Sequence, residues 1–277
     1  MLAPAKLNLA LHVTGQRQDG YHTLESLVAF ASVGDEVTIA LAPKDHLMVD
    51  GPFADNVPPL RENTLGDALS MVRRWGDAPE PVHIYLTKNV PIASGIGGGS
   101  ADAAALICLL TGGRALTAQE MADCLALGAD VPMCVIGKPA IVGGIGEDNT
   151  PVELPQAHVV LVNPGVGVAT PAIFKALQNK SNPSMPRHAE LRSFEDLVAY
   201  LQQCRNDLGP AAQQLAPEIS TCLAALNEAP FARMSGSGAT CFSLLKTAGE
   251  AEKLAAKTQN AHPNWWVRVG NFRPKSV

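Results

Sequence analysis

The segment of this 277-residue chain best suited to chemistry is Pro91-Ile92-Ala93-Ser94-Gly95-Ile96-Gly97-Gly98-Gly99-Ser100-Ala101-Asp102. Its run of glycines lets a backbone approach a ligand closely and aim several N–H groups at one point. A strand is expected before it and a helix after it, and a helix start adds about half a positive charge. Together these features describe a site for a phosphate or another anion. No Gly-Lys-Ser/Thr closes the loop, so it is not a Walker A sequence. Its third glycine is misplaced for a dinucleotide fingerprint. The same glycine richness would also make a plain flexible turn. A second small-residue loop, Met234-Ser235-Gly236-Ser237-Gly238-Ala239-Thr240, fails the spacing of a nucleophile elbow, and no Ser-His-Asp set can be built around it. Lys6 and Asn8 stand two apart in an alternating segment, so both point to one polar strand face, about 7 Å apart.

The elements that must hold these residues mix strand and helix in both halves of the chain, which predicts an α+β fold. Ala5–Val13, Val37–Leu41, Val82–Lys88, Val159–Val162, Thr240–Leu245 and Trp265–Val269 read as strands. Helices are predicted over Asn63–Trp75 with Gly76 as its stop, Ala101–Leu110, a stretch opened by the capping box Thr117-x-x-Glu120, Pro171–Leu177, Phe194–Cys204, Pro217–Asn227 and Gly249–Thr258. Gly128 suits a left-handed helix end. Pro43–Leu60, with four prolines, reads as loop or edge strand. Gly143-Gly144-Ile145-Gly146 reads as a turn or linker, and Gln178–Arg187 as a mobile polar loop. Two domains are expected, 1–150 and 151–277.

Composition narrows the class. Hydrophobic residues make up 47% and charged residues 17%, which suits a packed core rather than a disordered chain. With 21 Lys and Arg against 26 Asp and Glu, the net charge is −5, and no basic field draws the chain to nucleic acid. The longest apolar run, Ala103–Leu110, is far short of the ~20 residues that span a bilayer. Met1–Lys6 shows no signal-peptide pattern. The six scattered cysteines read as small buried hydrophobes in a reducing compartment, and no His/Cys cluster has zinc spacing. A cytoplasmic protein is expected, with no membrane or nucleic-acid partner.

Three separated segments carry a family resemblance. They are Ala3-Pro4-Ala5-Lys6-Leu7-Asn8-Leu9 with Asp19-Gly20-Tyr21-His22, the glycine loop, and Ser235-Gly236-Ser237-Gly238-Ala239. In order and spacing they resemble the three motifs of the GHMP small-molecule kinases. Leu127-Gly128-Ala129-Asp130-Val131-Pro132 and Thr170-Pro171-Ala172-Ile173-Phe174 are similar to further family segments. The Pro-Ala-Lys-x-Asn pattern with Asp-Gly-Tyr-His is narrower. It resembles those members that act on a cytidyl-diphosphate-linked methylerythritol in the non-mevalonate route to isoprenoids. The resemblance implies a two-domain fold, ribosomal-protein-S5-like then ferredoxin-like. It also implies transfer of the γ-phosphoryl of ATP, with Mg²⁺, to the 2-hydroxyl of the erythritol unit.

Roles follow from the resemblance residue by residue. Lys6 and Asp130 are catalytic. An Asp beside a lysine ammonium stays ionised and can orient a hydroxyl and take its proton. Asp130 also suits an N-cap. Asn8, Tyr21, His22, Thr170 and Phe174 line the substrate, with Tyr21 and Phe174 sandwiching cytosine and His22 bonding its polar edge. Phe174 is equally suited to the core of its helix. ATP is bound by the loop Pro91 to Asp102 with Asn63, Lys88 and Ser237, and Ser100 reaches Mg²⁺ or a phosphate oxygen. Asp102 is alternatively a first-turn carboxylate serving the helix dipole. The chain departs from the family at Ala93, where glycine is usual, and at Ala101, where serine is usual. A left-handed backbone at Ala93 would cost ~1–2 kcal/mol. Competing expectations are another small-alcohol kinase, of homoserine or mevalonate type, and a non-catalytic nucleotide-binding protein. The assembly is expected to be a monomer or a homodimer.

Overall fold

A computed structural model describes residues 1–78, 81–187 and 190–272. The chain opens with two long strands, β1 (Leu2–Gln16) and β2 (His22–Leu41), paired to each other. The first strand is buried from Ala3 to Val13 without alternation, so the Lys6–Asn8 face is polar but not solvated. β2 begins fifteen residues before the expected Val37, because Ser26–Ala31 is buried on both faces and shows no period of two.

Packing divides the chain into two compact units that interleave in sequence, whereas the division expected at residue 150 is sequential. The difference arises because β1 and β2 each serve both units. Unit 1 comprises Met1–Ala5, Gly34–Ile92 and Gly97–Gly137, and unit 2 comprises Lys6–Val33, Ala93–Ile96 and Lys138–Val277.

In unit 1 the end of β2 pairs antiparallel with β4 (Val82–Thr87), and β3 (His46–Asp50) runs parallel to β4 at the edge. The α-helices among the unit's described residues are α1 (Thr64–Trp75), α2 (Gly98–Leu110), α3 (Ala118–Leu127) and α4 (Val131–Ile136). α1 is capped by the Asn63 side chain, which accepts from the Leu65 N–H, and ends at left-handed Gly76. α3 carries the expected reciprocal Thr117/Glu120 cap. At its end Gly128 has φ 168°, extended rather than left-handed as expected. α2 is apolar nearly all round, and Ala103, Leu106 and Ile107 are fully enclosed as it packs on α1 and α4.

In unit 2 the first part of β2 pairs with β5 (Ala140–Gly143), and β5 with β6 (Asp148–Pro151). The Gly143–Gly146 turn therefore joins a hairpin rather than two domains. A four-stranded antiparallel sheet has the order β10-β7-β9-β8, with β7 (His158–Asn163), β8 (Phe231–Met234), β9 (Cys241–Leu245) and β10 (Trp266–Asn271). Its helices are α5 (Thr170–Ala176), α6 (Phe194–Gln203), α7 (Gly209–Leu215), α8 (Glu218–Ala225) and α9 (Ala248–Ala261). β8 and α7 were not expected: burial along the four residues of β8 does not alternate, and α7 opens on Gly209-Pro210. The α+β class is as read from the sequence. Five of the six cysteines are buried, as small apolar side chains are.

Ala93 has φ 51°, the left-handed backbone that would favour glycine there. Ala93→Gly is therefore expected to raise stability by about 1 kcal/mol, read as a higher urea midpoint at unchanged slope. A lower midpoint would show that the alanine side chain is held by contacts that outweigh its strain.

Candidate active site

In unit 1 the helix α2 starts at Gly98, three residues before the expected Ala101, with Gly97 as its N-cap at φ 68°. The glycines are thus the first turn itself. A helix leaves its first backbone N–H groups without intrahelical partners, so Gly98, Gly99 and Ser100 present donors at the positive end of the dipole. Glycine is a poor helix former, and its use here makes sense where something must come close to the backbone. Asp102 lies in the second turn and not the first.

Behind this helix start sits a buried charge cluster. The Lys88 ammonium donates to Asp102 Oδ2 at 2.8 Å and also to Asp35 Oδ2. Asp35 Oδ1 accepts from the N–H groups of Asn89 and Val90 at 2.6 and 3.0 Å. Burial works against the Lys88 charge, but the two carboxylates outweigh it and raise its pKa. Burial also pushes Asp102 up to about 7, which Lys88 only partly opposes. Asp102 Oδ1 is buried without a hydrogen-bond partner.

Asp130 stands at the N-cap of α4 with φ −85°, yet its side chain makes no capping bond. Its carboxylate is not used as the helix cap that its position allows. The turn that carries it runs beside the first turn of α2, since a Cβ on Gly128 would lie 3.9 Å from Ser100 Oγ. Asn63 is occupied as the cap of α1 and also donates to the Pro58 carbonyl.

In unit 2 the three motifs converge on β1. Lys6 Nζ donates to Asn8 Oδ1 at 2.8 Å, Asn8 Nδ2 to Ser26 Oγ at 2.7 Å, and Ser26 Oγ to the Ala10 carbonyl at 2.7 Å. This chain fixes which end of the Asn8 amide meets the ammonium. The Asn8 N–H donates to Ser235 Oγ, which donates to the Gly95 carbonyl. The Lys6 N–H donates to the Ile96 carbonyl, and the Thr240 N–H to the Ser94 carbonyl. Both Lys6 and Asn8 are only 5% exposed, so this network lies in the interior of the protein.

The two glycine-rich loops touch backbone to backbone. A Cβ on Gly95 would lie 2.5 Å from the Ser235 carbonyl oxygen and 2.6 Å from the Gly238 nitrogen, at φ 76°. Gly95→Ala should destabilise the protein by about 2 kcal/mol or more, because neither neighbour is a yielding side chain. Urea unfolding measures this, and an unchanged midpoint would mean that the loops do not meet as described.

Further out, Ser237 Oγ and Thr170 Oγ1 are 2.8 Å apart, which joins a nucleotide candidate to a substrate candidate. His22 stacks on Phe174 with centroids 4.7 Å apart and ring planes 23° from parallel. Phe174 also packs against the unit 2 core, the alternative that its place in the helix allows. Tyr21 does not join the stack and is 62% exposed. Burial, then the charge of Lys180, lowers the His22 pKa, and His22 Nε2 is buried without a partner. Of the remaining loop residues, Pro91 and Ile96 are buried, Ile92 is exposed, and Ala101 lies in the core of α2.

Sequence reasoning did not single out Asp35, Ser26 or Asn206. Asn206 donates to the carbonyls of Met234 and Gly236 at 2.9 and 2.8 Å and so shapes the second glycine loop. No spacing pattern marks any of the three, since each acts through a partner distant in sequence.

Mg²⁺ takes oxygen ligands and keeps much of its shell from phosphates and water. Ser100 Oγ and the unpartnered Asp102 Oδ1 are oxygens of that kind. Among the described residues, no group of three or more His, Cys, Asp or Glu side chains could hold a metal ion. The donor set thus fits a cation carried mainly by a nucleotide.

The GHMP kinases N terminal domain family matches residues 63–138, and the GHMP kinases C terminal family matches residues 173–264. A 4-diphosphocytidyl-2-C-methyl-D-erythritol kinase of Sinorhizobium medicae (strain WSM419) is 47% identical, over 99% of this chain and 95% of the relative. A crystal structure of a 4-(cytidine 5'-diphospho)-2C-methyl-D-erythritol kinase superposes with a TM-score of 0.80 and 31% identity, covering 99% of both chains. Homoserine kinase from Cytophaga hutchinsonii superposes with a TM-score of 0.71 over 98% of this chain and 92% of its own. At 17% identity that likeness is one of fold alone. The chain belongs to the GHMP kinases and, within them, to the 4-diphosphocytidyl-2-C-methyl-D-erythritol kinases.

Proposed function

We propose that this protein transfers the γ-phosphoryl group of ATP to the 2-hydroxyl of 4-diphosphocytidyl-2-C-methyl-D-erythritol, a step of the non-mevalonate route to isoprenoid precursors. One observation carries the reading. The Lys6–Asn8 pair, Ser235 and Gly95 are bonded into one network, in a chain 47% identical across almost its whole length to a kinase of that name.

In this reading the phosphates of ATP lie at the N–H groups of Gly98, Gly99 and Ser100. The loop from Pro91 to Asp102, with Asn63, Lys88 and Ser237, completes the nucleotide site. Asn8, Tyr21, His22, Thr170 and Phe174 hold the cytidyl substrate. Asp130 orients the 2-hydroxyl and receives its proton as the oxygen bonds to phosphorus. The bond from the γ-phosphorus to the bridging oxygen breaks, and ADP leaves. Lys6 neutralises charge on the transferring group, which is most of what phosphoryl transfer asks of a protein. Mg²⁺, held by the nucleotide phosphates with Ser100, would supply further charge neutralisation.

The same reading places the functional boundary near residue 150, between the two family-matched segments. It gives the enzyme a small-molecule partner, no nucleic acid and a cytoplasmic location, as a monomer or homodimer. The buried cysteines support a reducing compartment. No described helix is long and apolar enough to cross a membrane.

The test is ADP release from Mg-ATP with the cytidyl substrate, homoserine and mevalonate supplied in parallel. Release with the cytidyl substrate alone is expected. Release with another alcohol would keep the phosphoryl-transfer machinery and discard the base-binding assignments.

A further inference from the structure

We propose that Asp35 is a positioning residue for the nucleotide, acting through Lys88 and the Asn89–Val90 turn to set the seat of the first turn of α2. The proposal rests on the reading of that turn as the ATP phosphate site.

Asp35 is fully enclosed, and both its oxygens are used. One accepts from two successive backbone N–H groups at the end of β4, and the other takes the Lys88 ammonium. Charge-assisted bonds to a carboxylate are about twice as strong as neutral ones, so this one side chain fixes both the turn and the lysine. Lys88 in turn holds Asp102 in the second turn of α2.

The first turn of α2 rests directly on this cluster. A Cβ on Gly98 would lie 3.1 Å from Lys88 Nζ, 3.3 Å from Val90 Cγ2 and 3.6 Å from Asp35 Oδ2. That direction leads from the helix into the cluster. A side chain at position 98 would thus crowd what lies behind the helix start, and the height at which its N–H groups stand is set by Lys88 and Val90. Asp35 fixes both. A purely structural carboxylate would affect stability alone, whereas a positioning one affects nucleotide binding selectively.

The test is Asp35→Asn, which keeps the side-chain shape and an acceptor for the two N–H groups but removes the negative charge that faces Lys88. Steady-state KM values for ATP and for the cytidyl substrate are measured beside the wild-type enzyme, with thermal unfolding as the folding control. A rise of about tenfold or more in KM for ATP is expected, with KM for the cytidyl substrate within about twofold. Unchanged KM for ATP in a folded variant overturns the proposal. Should Asp35→Asn not fold, Gly98→Ala decides, because alanine favours the helix while its methyl presses on Lys88 and Val90. It should raise KM for ATP in the same selective way, and unchanged KM overturns the proposal. A wild-type enzyme that shows no ATP turnover or binding would instead remove the underlying reading of the loop.

Discussion

Asp130→Asn is expected to lower kcat by about 10³-fold, within the range usual for a positioned acid or base, while thermal stability stays close to that of the wild type. The stability half of this expectation comes from the helix start. Asp130 occupies the N-cap of α4 but makes no capping bond, so the amide takes no cap away from that helix. The kinetic half rests on the reaction. A hydroxyl attacking phosphorus must lose its proton, and an asparagine amide accepts none at neutral pH. KM for ATP and for the alcohol should change little, because an interaction made chiefly in the transition state moves kcat. Lys6→Met should act similarly. It keeps the buried stem and removes the ammonium bonded to Asn8, so charge neutralisation is lost with less packing disturbed than in Lys6→Ala. Full turnover by either folded variant would remove the assignment. Loss of folding in Asp130→Asn would point instead to a structural carboxylate.

How much of this was legible in the sequence depended on whether a residue acts locally. The α1 stop at Gly76 and the α3 cap were read correctly because Gly76, Thr117 and Glu120 act within their own turn. β4 was read correctly because Val82, Ile84 and Leu86 alternate with less buried neighbours. The start of α2 was missed because two glycines opening a helix behind a glycine N-cap contradict helix propensity, and the cluster behind Gly98 is not visible in the sequence. The extent of β2 was missed because a strand buried on both faces has no alternation to detect. The interleaved units follow from the length of β1 and β2, which no composition change marks. Within the site, Lys6, Asn8 and the two glycine loops were found as motifs. Asp35 and Asn206 were not, because their partners lie 53 to 55 and 28 to 30 residues away.

The second large effect is expected at Tyr21. Its backbone is fixed in the β1–β2 turn, where the Arg17 N–H donates to the Tyr21 carbonyl at 2.7 Å and the Tyr21 N–H to Asp19 Oδ1 at 3.2 Å. Its ring is nevertheless 62% exposed, an arrangement that presents an aromatic face at little ordering cost. Tyr21→Ala should therefore leave stability unchanged and raise KM for the cytidyl substrate about 5- to 150-fold, the equivalent of ~1–3 kcal/mol per stacked base. KM for ATP should not follow. Phe174→Ala should raise the same KM but also lower stability, since Phe174 packs on the core as well as on His22. The stack constrains the mode of entry, because one face of Phe174 is covered by His22. A base meets the other face or displaces the imidazole. His22 adds a pH signature. Its pKa lies below the ordinary 6.5, so it is neutral at and above neutral pH. A neutral ring offers one donor and one acceptor to a base edge, and protonation removes the acceptor. Its contribution is complete above the ordinary value and is lost as pH falls through the lowered one. KM for the cytidyl substrate should accordingly be flat from about pH 7 upward and rise only on the acid side of the ordinary histidine value. In His22→Gln that acid-side rise should disappear. An unchanged KM in Tyr21→Ala would remove the stack, and a rise that persists in His22→Gln would assign the titration to another group.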